Sequence, residues 1–295
     1  MKCPLCLSNP TQPLYRGVKD FEHGVKGRWD FDRCGSCGLI FLSPAPAEEE
    51  LRSSYPANYL AYSSKGLVSH LKNVQASLLM RSVLPCLPKK DARILELGCG
   101  GGHLLRQLKR RGYENLSGLD WNDALAPVFK QLGIKFEAGD IEKNELSGAF
   151  DCVILNNVIE HLLDPEKVLA RIKVHLAPGG KILIRTPNSA ALSHRTFSRW
   201  WAGLHTPRHV HIFSPESLQF LTSKVGFSSI TIRYLADVSA WALSFQNYLY
   251  DQAATATQQN GMAQWPILLS MPLWVPATWV ERVLKRTSSI LAVLS

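Results

Sequence analysis

A glycine-rich turn between a predicted strand and a predicted helix constrains this fold more than any other feature. Ile94–Leu97 read as a strand, Gly98–Gly102 hold four glycines, and His103–Arg111 follow with helical spacing. Glycines permit a tight turn and a close approach of the backbone to a ligand. A loop of this kind is also found in dinucleotide-binding proteins, so the pattern alone indicates a nucleotide-like ligand without fixing which one.

Strand and helix patterns alternate over residues 91–235. This alternation predicts a doubly wound, mostly parallel sheet with helices on both faces, an α/β fold of the Rossmann-like kind. The predicted strands are Arg93–Leu97, Asn115–Asp120, Lys135–Ala138, Asp151–Leu155, Lys181–Arg185 and Ser229–Arg233. The predicted helices are His103–Arg111, Asn122–Leu132, Pro165–His175 and Pro215–Val225.

Three acidic residues stand at or near the ends of successive predicted strands. Glu96 precedes the glycine turn, Asp120 ends the next strand, and Asp140 follows the third. Each one alone is most often a turn residue or a helix N-cap. In register with a glycine loop they point instead to the crevice where open α/β sheets bind ligands. Glu96 suits a cationic amino group, and Asp120 can accept hydrogen bonds from both hydroxyls of a ribose.

These motifs resemble the class I S-adenosylmethionine-dependent methyltransferases, in the branch that includes ubiquinone-type and sugar methyltransferases. The match covers roughly Asp91 to Arg233, with Asn156–Pro165 similar to the segment at the family's fourth strand and Leu176–Lys181 similar to the turn before its fifth. The family closes its sheet with an antiparallel strand, for which Ser289–Leu294 is the candidate. The resemblance implies that S-adenosylmethionine is held by Glu96, Gly98, Cys99, Gly100, Gly102, Asp120, Trp121, Asp140, Ile141 and Asn156.

Two pairs of cysteines near the start of the chain have the spacing of metal ligands. Cys3 and Cys6 form one C-x-x-C pair, and Cys34 and Cys37 form the other. Four thiolates so arranged can hold one structural Zn²⁺ in a closed tetrahedral site. Buried free thiols and a redox pair are the alternatives. The module resembles one that precedes methyltransferases of sugar and cell-surface glycan pathways, which implies a role in gripping substrate.

Histidines near predicted strand ends are the candidates for a general base. His209 is the first choice and His161 the second, because both follow strands whose ends should face the ligand. His209 belongs to a loop that also contains His205, Arg208 and His211. This set can supply a base or bind a phosphate or carboxylate; the alternative is that each ring hydrogen-bonds only to backbone.

Four regions divide the chain. We assign residues 1–45 to a zinc-binding module, 46–90 to a helical linker or lid, 91–235 to the catalytic domain and 236–295 to an apolar extension. The extension contains Trp265–Val280, which is uncharged but is too short and too rich in proline to span a membrane as a helix. It can serve as a lid, as a homodimer surface or as a peripheral membrane contact.

The leading functional hypothesis is a methyltransferase acting on a small molecule, a sugar or a cell-surface glycan. The net charge of +9 keeps an RNA methyltransferase open, although no continuous basic run supports nucleic-acid binding. A third hypothesis is a non-catalytic, membrane-associated scaffold with the same fold. The first residues lack the apolar core of a signal peptide, so we expect a cytoplasmic protein, with the inner membrane face as an alternative location.

Overall fold

The N-terminal residues form a small antiparallel sheet, named the front sheet below. In the computed structural model, β1 (Thr11–Val18), β2 (Trp29–Cys34) and β3 (Ile40–Leu42) pair in sequence order. Phe31 and Leu42 are buried on these strands and pack in one apolar cluster. This cluster also contains Trp201, Leu204 and Trp241 from later in the chain, so the front sheet shares its core with the rest of the protein.

The structure describes residues 2–55, 62, 66–252 and 270–295. Two stretches of the region assigned to the apolar extension fall wholly or partly outside this part of the chain. They are the polar segment Gln258–Asn260 and the first residues of the apolar stretch Trp265–Val280.

Two helices follow the front sheet, α1 (Glu48–Ser53) and α2 (Gly66–Val83). Within the predicted helical linker, the segment Leu67–Leu84 has apolar residues at helical spacing, which predicts a helix, and the structure confirms it as α2. Its buried side is set by Met80 and Val83, which pack into the cluster beneath the sheet of the main body. The apolar positions Val74 and Leu78 are exposed instead. The side chains of two further predicted positions lie outside the described residues, Leu67 and Leu71.

The main body is built on one mostly parallel sheet. Its strand order is β10-β11-β8-β7-β4-β5-β6. β11 pairs antiparallel with both of its neighbours, β10 and β8, and all pairs from β8 to β6 are parallel. The doubly wound α/β prediction is therefore confirmed. The strands are β4 (Ile94–Leu97), β5 (Leu116–Asp120), β6 (Lys135–Ala138), β7 (Phe150–Asn156), β8 (Leu176–Pro187), β10 (Ile230–Leu235) and β11 (Ser289–Leu294), with the short β9 (His211–Ile212) outside this sheet.

Helices pack on both faces of this sheet because the buried strands carry apolar side chains on both faces. All four predicted helices are present, and their observed ends differ from the predicted ends by at most two residues, except that the second begins as a short 3-10 turn before α4. The helices of the main body are α3 (His103–Lys109), α4 (Ala126–Leu132), α5 (Pro165–Val174), α6 (Leu192–Phe197), α7 (Pro215–Lys224), α8 (Val238–Gln252) and α9 (Val275–Val283).

The candidate closing strand Ser289–Leu294 is a strand, β11, and it lies inside the sheet. It pairs with β10 on one side and β8 on the other, so that Leu291 lies opposite both Arg233 and Arg185. Ile290 and Ala292 are fully buried against the main core. The last residues of the predicted apolar extension are therefore part of the main sheet. Their side chains alternate between the apolar layers on the two faces of this sheet, with Ile290 and Ala292 on one face and Leu291 on the other.

The short strand β9 joins the two sheets. Ile40 pairs with Ile212 and Phe41 with His211, which makes β9 the fourth strand of the front sheet. The histidine-rich loop of the main body is thus held by backbone hydrogen bonds to the cysteine module. Within the described part of the chain, no helix is both long and apolar enough to cross a membrane.

Candidate active site

A cleft of about 490 Å³ opens at the carboxyl ends of the parallel strands. This volume lies in the range of small-molecule sites, and the position is the one expected for an open α/β sheet. All but one of the predicted cofactor and catalytic residues line it. They are Glu96, Gly98, Cys99, Gly100, Asp120, Trp121, Asp140, Ile141, Asn156, His161 and His209.

The glycine turn after β4 is closed by a carboxylate. Gly98 has φ +65°, and a Cβ added there would lie 2.6 Å from Cγ2 of Val158. The backbone N–H of Gly100 donates a hydrogen bond of 2.8 Å to Oδ2 of Asp120. The turn therefore needs glycine both for its left-handed backbone and for its close packing.

Gly102 is the predicted site residue that does not line the cleft. It precedes α3 with φ +70°, and a Cβ there would lie 3.1 Å from Cζ of Phe129. Its place is behind the turn, where it allows α3 and α4 to pack closely. Its place in the structure is therefore a packing position, whereas Gly98 and Gly100 line the cleft.

Glu96 and Asp120 are buried carboxylates on neighbouring strands. Burial raises the pKa of both groups, and the nearby charge of Asp120 adds to the large rise at Glu96. Oε2 of Glu96 is buried and has no hydrogen-bond partner among the described residues. A buried acceptor left unpaired is costly, so this oxygen favours a ligand that brings donors or positive charge to the cleft.

One end of the cleft is covered by the segment that contains α1. Arg52 bonds Asp140 at 2.5 Å, and its guanidinium lies 5.3 Å from the centre of the Trp121 ring. The ring of Tyr55 meets Trp121 edge-on at 5.2 Å, and the Tyr62 hydroxyl accepts a hydrogen bond from the Trp121 indole. Sequence reasoning assigned this segment to a helical linker or lid but selected none of these three residues, because their contacts with Trp121 and Asp140 arise only in the folded chain.

Asn156 and Ile141 are held by arginines. Nη1 of Arg185 lies 3.5 Å from Oδ1 of Asn156, and its Nη2 lies 3.3 Å from a carboxylate oxygen of Asp237. Arg171 donates to the backbone carbonyl of Ile141. The strand ends that form the cleft wall are therefore fixed by cations that reach across from β8 and α5.

The two predicted bases lie together, with ring centres 4.6 Å apart. Nδ1 of His161 donates to the carbonyl of Arg208 at 2.9 Å, and Nδ1 of His209 donates to the carbonyl of Gly203 at 2.8 Å. Since a carbonyl can only accept, each ring has its lone pair on Nε2. Burial lowers the pKa of His161 to about 4 and that of His209 well below its usual value. Both are therefore neutral near pH 7 and able to take a proton.

Glu160 lies beside these histidines, although no sequence pattern separately selects it. It is fully buried, and burial raises its pKa to about 7. One carboxylate oxygen accepts from the Thr186 hydroxyl at 3.0 Å. The other lies 3.9 Å from Nε2 of His209 and has no hydrogen-bond partner among the described residues. The only sequence signal was its place beside His161 at the end of the fourth parallel strand.

Arg208 and His205 attach the histidine-rich loop to the front module. Arg208 is fully buried and bonds Asp20 of the front module and the carbonyl of Ser54, each at 2.9 Å. Its Nε donates to Nε2 of His205, whose Nδ1 lies 2.9 Å from a carboxylate oxygen of Glu22. Both ring nitrogens of His205 are thereby engaged, so this ring connects the module to the loop.

His211 lies outside the cleft. Its Nδ1 bonds the carbonyl of Leu162 at 3.0 Å, and its ring is buried behind β9. The backbone-bonding alternative therefore describes His211, while His161 and His209 combine a backbone bond with access to the cleft.

The four cysteines of the front module meet at one point. Their sulfur atoms all lie within 4.8 Å of one another, with Cys3 to Cys37 at 3.7 Å and Cys6 to Cys34 at 3.5 Å. Four sulfurs bound to zinc at about 2.3 Å would be about 3.8 Å apart. The backbone N–H of Ser36 also points to the Cys34 sulfur at 3.3 Å. The donor set and its dimensions fit one tetrahedral metal ion.

Comparison with known proteins adds to this geometry. A family model described as "Methyltransferase domain" matches residues 70–232, more than half of the chain. Trans-aconitate 2-methyltransferase of Deinococcus radiodurans is 36% identical over 121 residues, which are 39% of this chain and 46% of that protein. The mitochondrial ubiquinone biosynthesis O-methyltransferase of Homo sapiens is 30% identical over 166 residues, 50% of this chain and 44% of that protein. The chain thus spans less than half the length of these two relatives.

The fold also resembles solved structures. A structure from Thermotoga maritima, described as an S-adenosylmethionine-dependent methyltransferase and possible histamine N-methyltransferase, aligns with a TM-score of 0.51 at 16% identity. The alignment covers 76% of this chain and 91% of that chain. At this identity the likeness supports the Rossmann-like fold and leaves the acceptor open.

Proposed function

Because the chain belongs to the methyltransferase domain family, we propose that it transfers a methyl group from S-adenosylmethionine to a small-molecule, sugar or cell-surface glycan acceptor. The observation that carries this proposal is the buried pair Glu96 and Asp120 beside the glycine turn, with one Glu96 oxygen left unpaired. A scaffold would gain nothing from such costly groups, whereas a ligand with an ammonium group and a ribose would compensate them.

The residues of the cleft fit this cofactor. Glu96 and the turn at Gly98 and Gly100 would hold its amino-acid end, and Asp120 would accept from its ribose hydroxyls. Trp121 and the residues around Asp140 would flank its adenine ring. When bound, S-adenosylmethionine supplies an electrophilic methyl group on a sulfonium, whose leaving group is a neutral thioether.

The histidines would take up the proton that the acceptor loses. An acceptor atom that carries a proton would have to lose it when it is methylated. The proton displaced from the acceptor passes to Nε2 of His209, or of His161 beside it, which are both neutral near pH 7. Burial around these rings would exclude water and hold the acceptor in line.

The acceptor class is inferred from the relatives and from the polar wall of the cleft. The relatives carry the names of trans-aconitate and of ubiquinone biosynthesis, which favours a small molecule over a nucleic acid. Beside the cofactor region, the wall offers His161, His209 and the guanidinium of Arg185. Such groups suit a hydroxylated or anionic small molecule.

We also propose that the cysteine cluster holds a structural Zn²⁺. A closed set of four thiolates leaves no coordination position for a substrate, and it would fix the ends of β1 and β2. Since β3 pairs with β9, the ion would act on the active site only by ordering the histidine loop.

Calorimetric titration with S-adenosylhomocysteine tests the cofactor proposal. Asp120→Ala should weaken binding by about 10- to 150-fold, because it removes an acceptor for two ribose hydroxyls. Asp123→Ala is the matched control, since Asp123 is an exposed acid three residues away. Equal binding by both variants, or no binding by the wild-type chain, would reject the proposal.

The acceptor is to be sought by transfer of a labelled methyl group from S-adenosylmethionine, beginning with nucleotide sugars and small carboxylic acids. With the acceptor found, His209→Gln should lower turnover by about 10²- to 10⁴-fold while leaving S-adenosylhomocysteine binding intact. His175→Gln, at the end of α5 and away from the cleft, is the control. Full turnover by His209→Gln would transfer the role to His161.

A further inference from the structure

The helix α9 presents its apolar side outwards. Trp279 is 68% exposed and Val283 62%, and together with Val275 they form one stripe at four-residue spacing. On the opposite side, Glu281 is fully buried and Thr278 is nearly so. An amphipathic helix of a water-soluble protein shows the reverse arrangement, with its apolar stripe facing the core.

Hydrogen bonds fix this inverted orientation. One carboxylate oxygen of Glu281 accepts from the backbone N–H of Ser193 at 3.0 Å. The Ser288 hydroxyl lies 3.0 Å from the other oxygen, and the Ser288 N–H donates to it at 3.3 Å. Rotating α9 to bury Trp279 would expose apolar core and break these buried bonds, so the outward stripe follows from how the helix is anchored.

The polar rim of the stripe is cationic. Arg282, Lys285 and Arg286 are exposed at the end of α9 and in the turn after it. Glu281 is the only acidic residue between 270 and 295, and it is buried. Among the described residues no salt bridge pairs these three cations, and an exposed tryptophan and valines bordered by them match the composition of helices that lie in a membrane surface.

We propose that α9 docks on the surface of an anionic phospholipid bilayer. The stripe of Val275, Trp279 and Val283 enters the boundary between headgroups and acyl chains, where the indole of tryptophan is favoured. Arg282, Lys285 and Arg286 contact the lipid phosphates. The helix lies in the plane of the surface, because its nine residues are too few to cross a bilayer.

The buried side of α9 lies next to the cleft. Ser288, which bonds Glu281, also lines the cleft wall. Docking through α9 would therefore hold the active site close to the membrane surface. The docking proposal stands on α9 alone and does not depend on the proposed methyl transfer.

Co-sedimentation of the full chain with vesicles tests the proposal. We expect binding to vesicles of phosphatidylcholine with phosphatidylglycerol, and much weaker binding to phosphatidylcholine alone. Trp279→Ser should weaken the partition coefficient by about tenfold on anionic vesicles. Arg282→Gln should weaken it by about fivefold on anionic vesicles and leave the zwitterionic value unchanged.

Val174→Ser is the matched control, because Val174 is 79% exposed at the end of α5, on a helix that the proposal does not use. Thermal melting and S-adenosylhomocysteine binding should be the same in all three variants, which separates lost docking from lost folding. No vesicle binding by the wild-type chain, or equal binding by Trp279→Ser, would overturn the proposal. A dimer in sedimentation that Trp279→Ser dissociates would overturn it in favour of a second copy of the chain.

Discussion

At the scale of single residues, the site combines an acid that is hard to ionise with histidines that are hard to protonate. Glu160 has its pKa raised to about 7 by burial, and His161 has its pKa lowered to about 4 for the same reason. Both groups are therefore neutral in slightly acidic solution. Near neutral pH Glu160 can then change its protonation state at little cost, as a proton-transfer site requires, whereas protonation of His161 works against its lowered pKa.

The raised pKa of Glu160 gives a stability prediction with a definite sign. The folded state holds this proton more tightly than the unfolded state, whose pKa is about 4.5. Its stabilising effect is thus complete below pH 4.5 and is lost as the pH rises towards 7. In Glu160→Gln this loss should be absent, so the variant should gain up to about 3 kcal/mol over wild type between pH 5 and pH 8.

Urea unfolding at pH 5 and pH 8 measures this difference. Glu166→Gln serves as the control, because Glu166 is an exposed partner of Lys224 and should show no comparable gain. A Glu160→Gln variant with the same pH dependence as wild type would contradict the prediction.

A second prediction at this scale separates the two reasons why a position needs glycine, which are backbone strain and close packing. Gly98 and Gly133 both have positive φ, +65° and +61°. An added Cβ collides with Val158 at Gly98 but meets nothing within 4 Å at Gly133. Gly133→Ala should therefore cost only backbone strain, about 1 kcal/mol, whereas Gly98→Ala should cost a further 1–3 kcal/mol, roughly, for overpacking.

The two glycine variants are compared by urea unfolding and by titration with S-adenosylhomocysteine. Gly98→Ala should also lose cofactor binding, since the turn must move. Equal unfolding free energies for the two variants would show that the turn relaxes around the new methyl group.

At the scale of elements, the front sheet and the main sheet share the histidine loop. Removal of the proposed zinc should release β3 from β9 and loosen residues 205–212, while the cofactor residues on β4 and β5 stay in place. Cys34→Ser should therefore increase amide exchange in the histidine loop and change S-adenosylhomocysteine affinity only a few-fold.

Hydrogen exchange with mass spectrometry, beside a zinc assay, checks this prediction. Cys86→Ser is the control, because Cys86 is buried but distant from the four-cysteine cluster. Zinc retained in Cys34→Ser, or exchange unchanged in the loop, would contradict it.

The elements also show how far sequence reasoning could reach. The parallel strands were predicted because each is a local apolar run next to a helix with clear periodicity. Glu96, Asp120 and Asp140 were found because strand order alone places their ends at one edge. The pairing of β3 with β9 could not be found, since it joins residues far apart in sequence and rests on a two-residue strand.

The covering residues of the cleft were missed for a related reason. Arg52, Tyr55 and Tyr62 act through contacts with Trp121 and Asp140 that only the folded chain creates. The inverted face of α9 was equally hidden, because the sequence shows where apolar side chains recur but not which side of a helix meets the core. A buried Glu281 could be assigned only from its partners.

At the scale of the whole molecule, β11 joins the edge strand β10 to the other five strands of the sheet. Ala292 is fully buried between β8 and β10. Ala292→Asp should destabilise the fold by several kcal/mol, about 4 or more, because a carboxylate would be buried without a partner. Ser295→Asp, one residue beyond the strand and exposed, should change little. Thermal melting of the two variants checks the prediction, and equal melting would contradict it.

The position of β11 has a consequence for how the protein is made. As the chain leaves the ribosome, β8 and β10 emerge first, and the gap between them is filled only when residues 289–294 follow. Until then two strand edges remain open, and open edges recruit other chains. A nascent or prematurely stopped chain is thus a natural client for chaperones, however well its cofactor residues are already arranged.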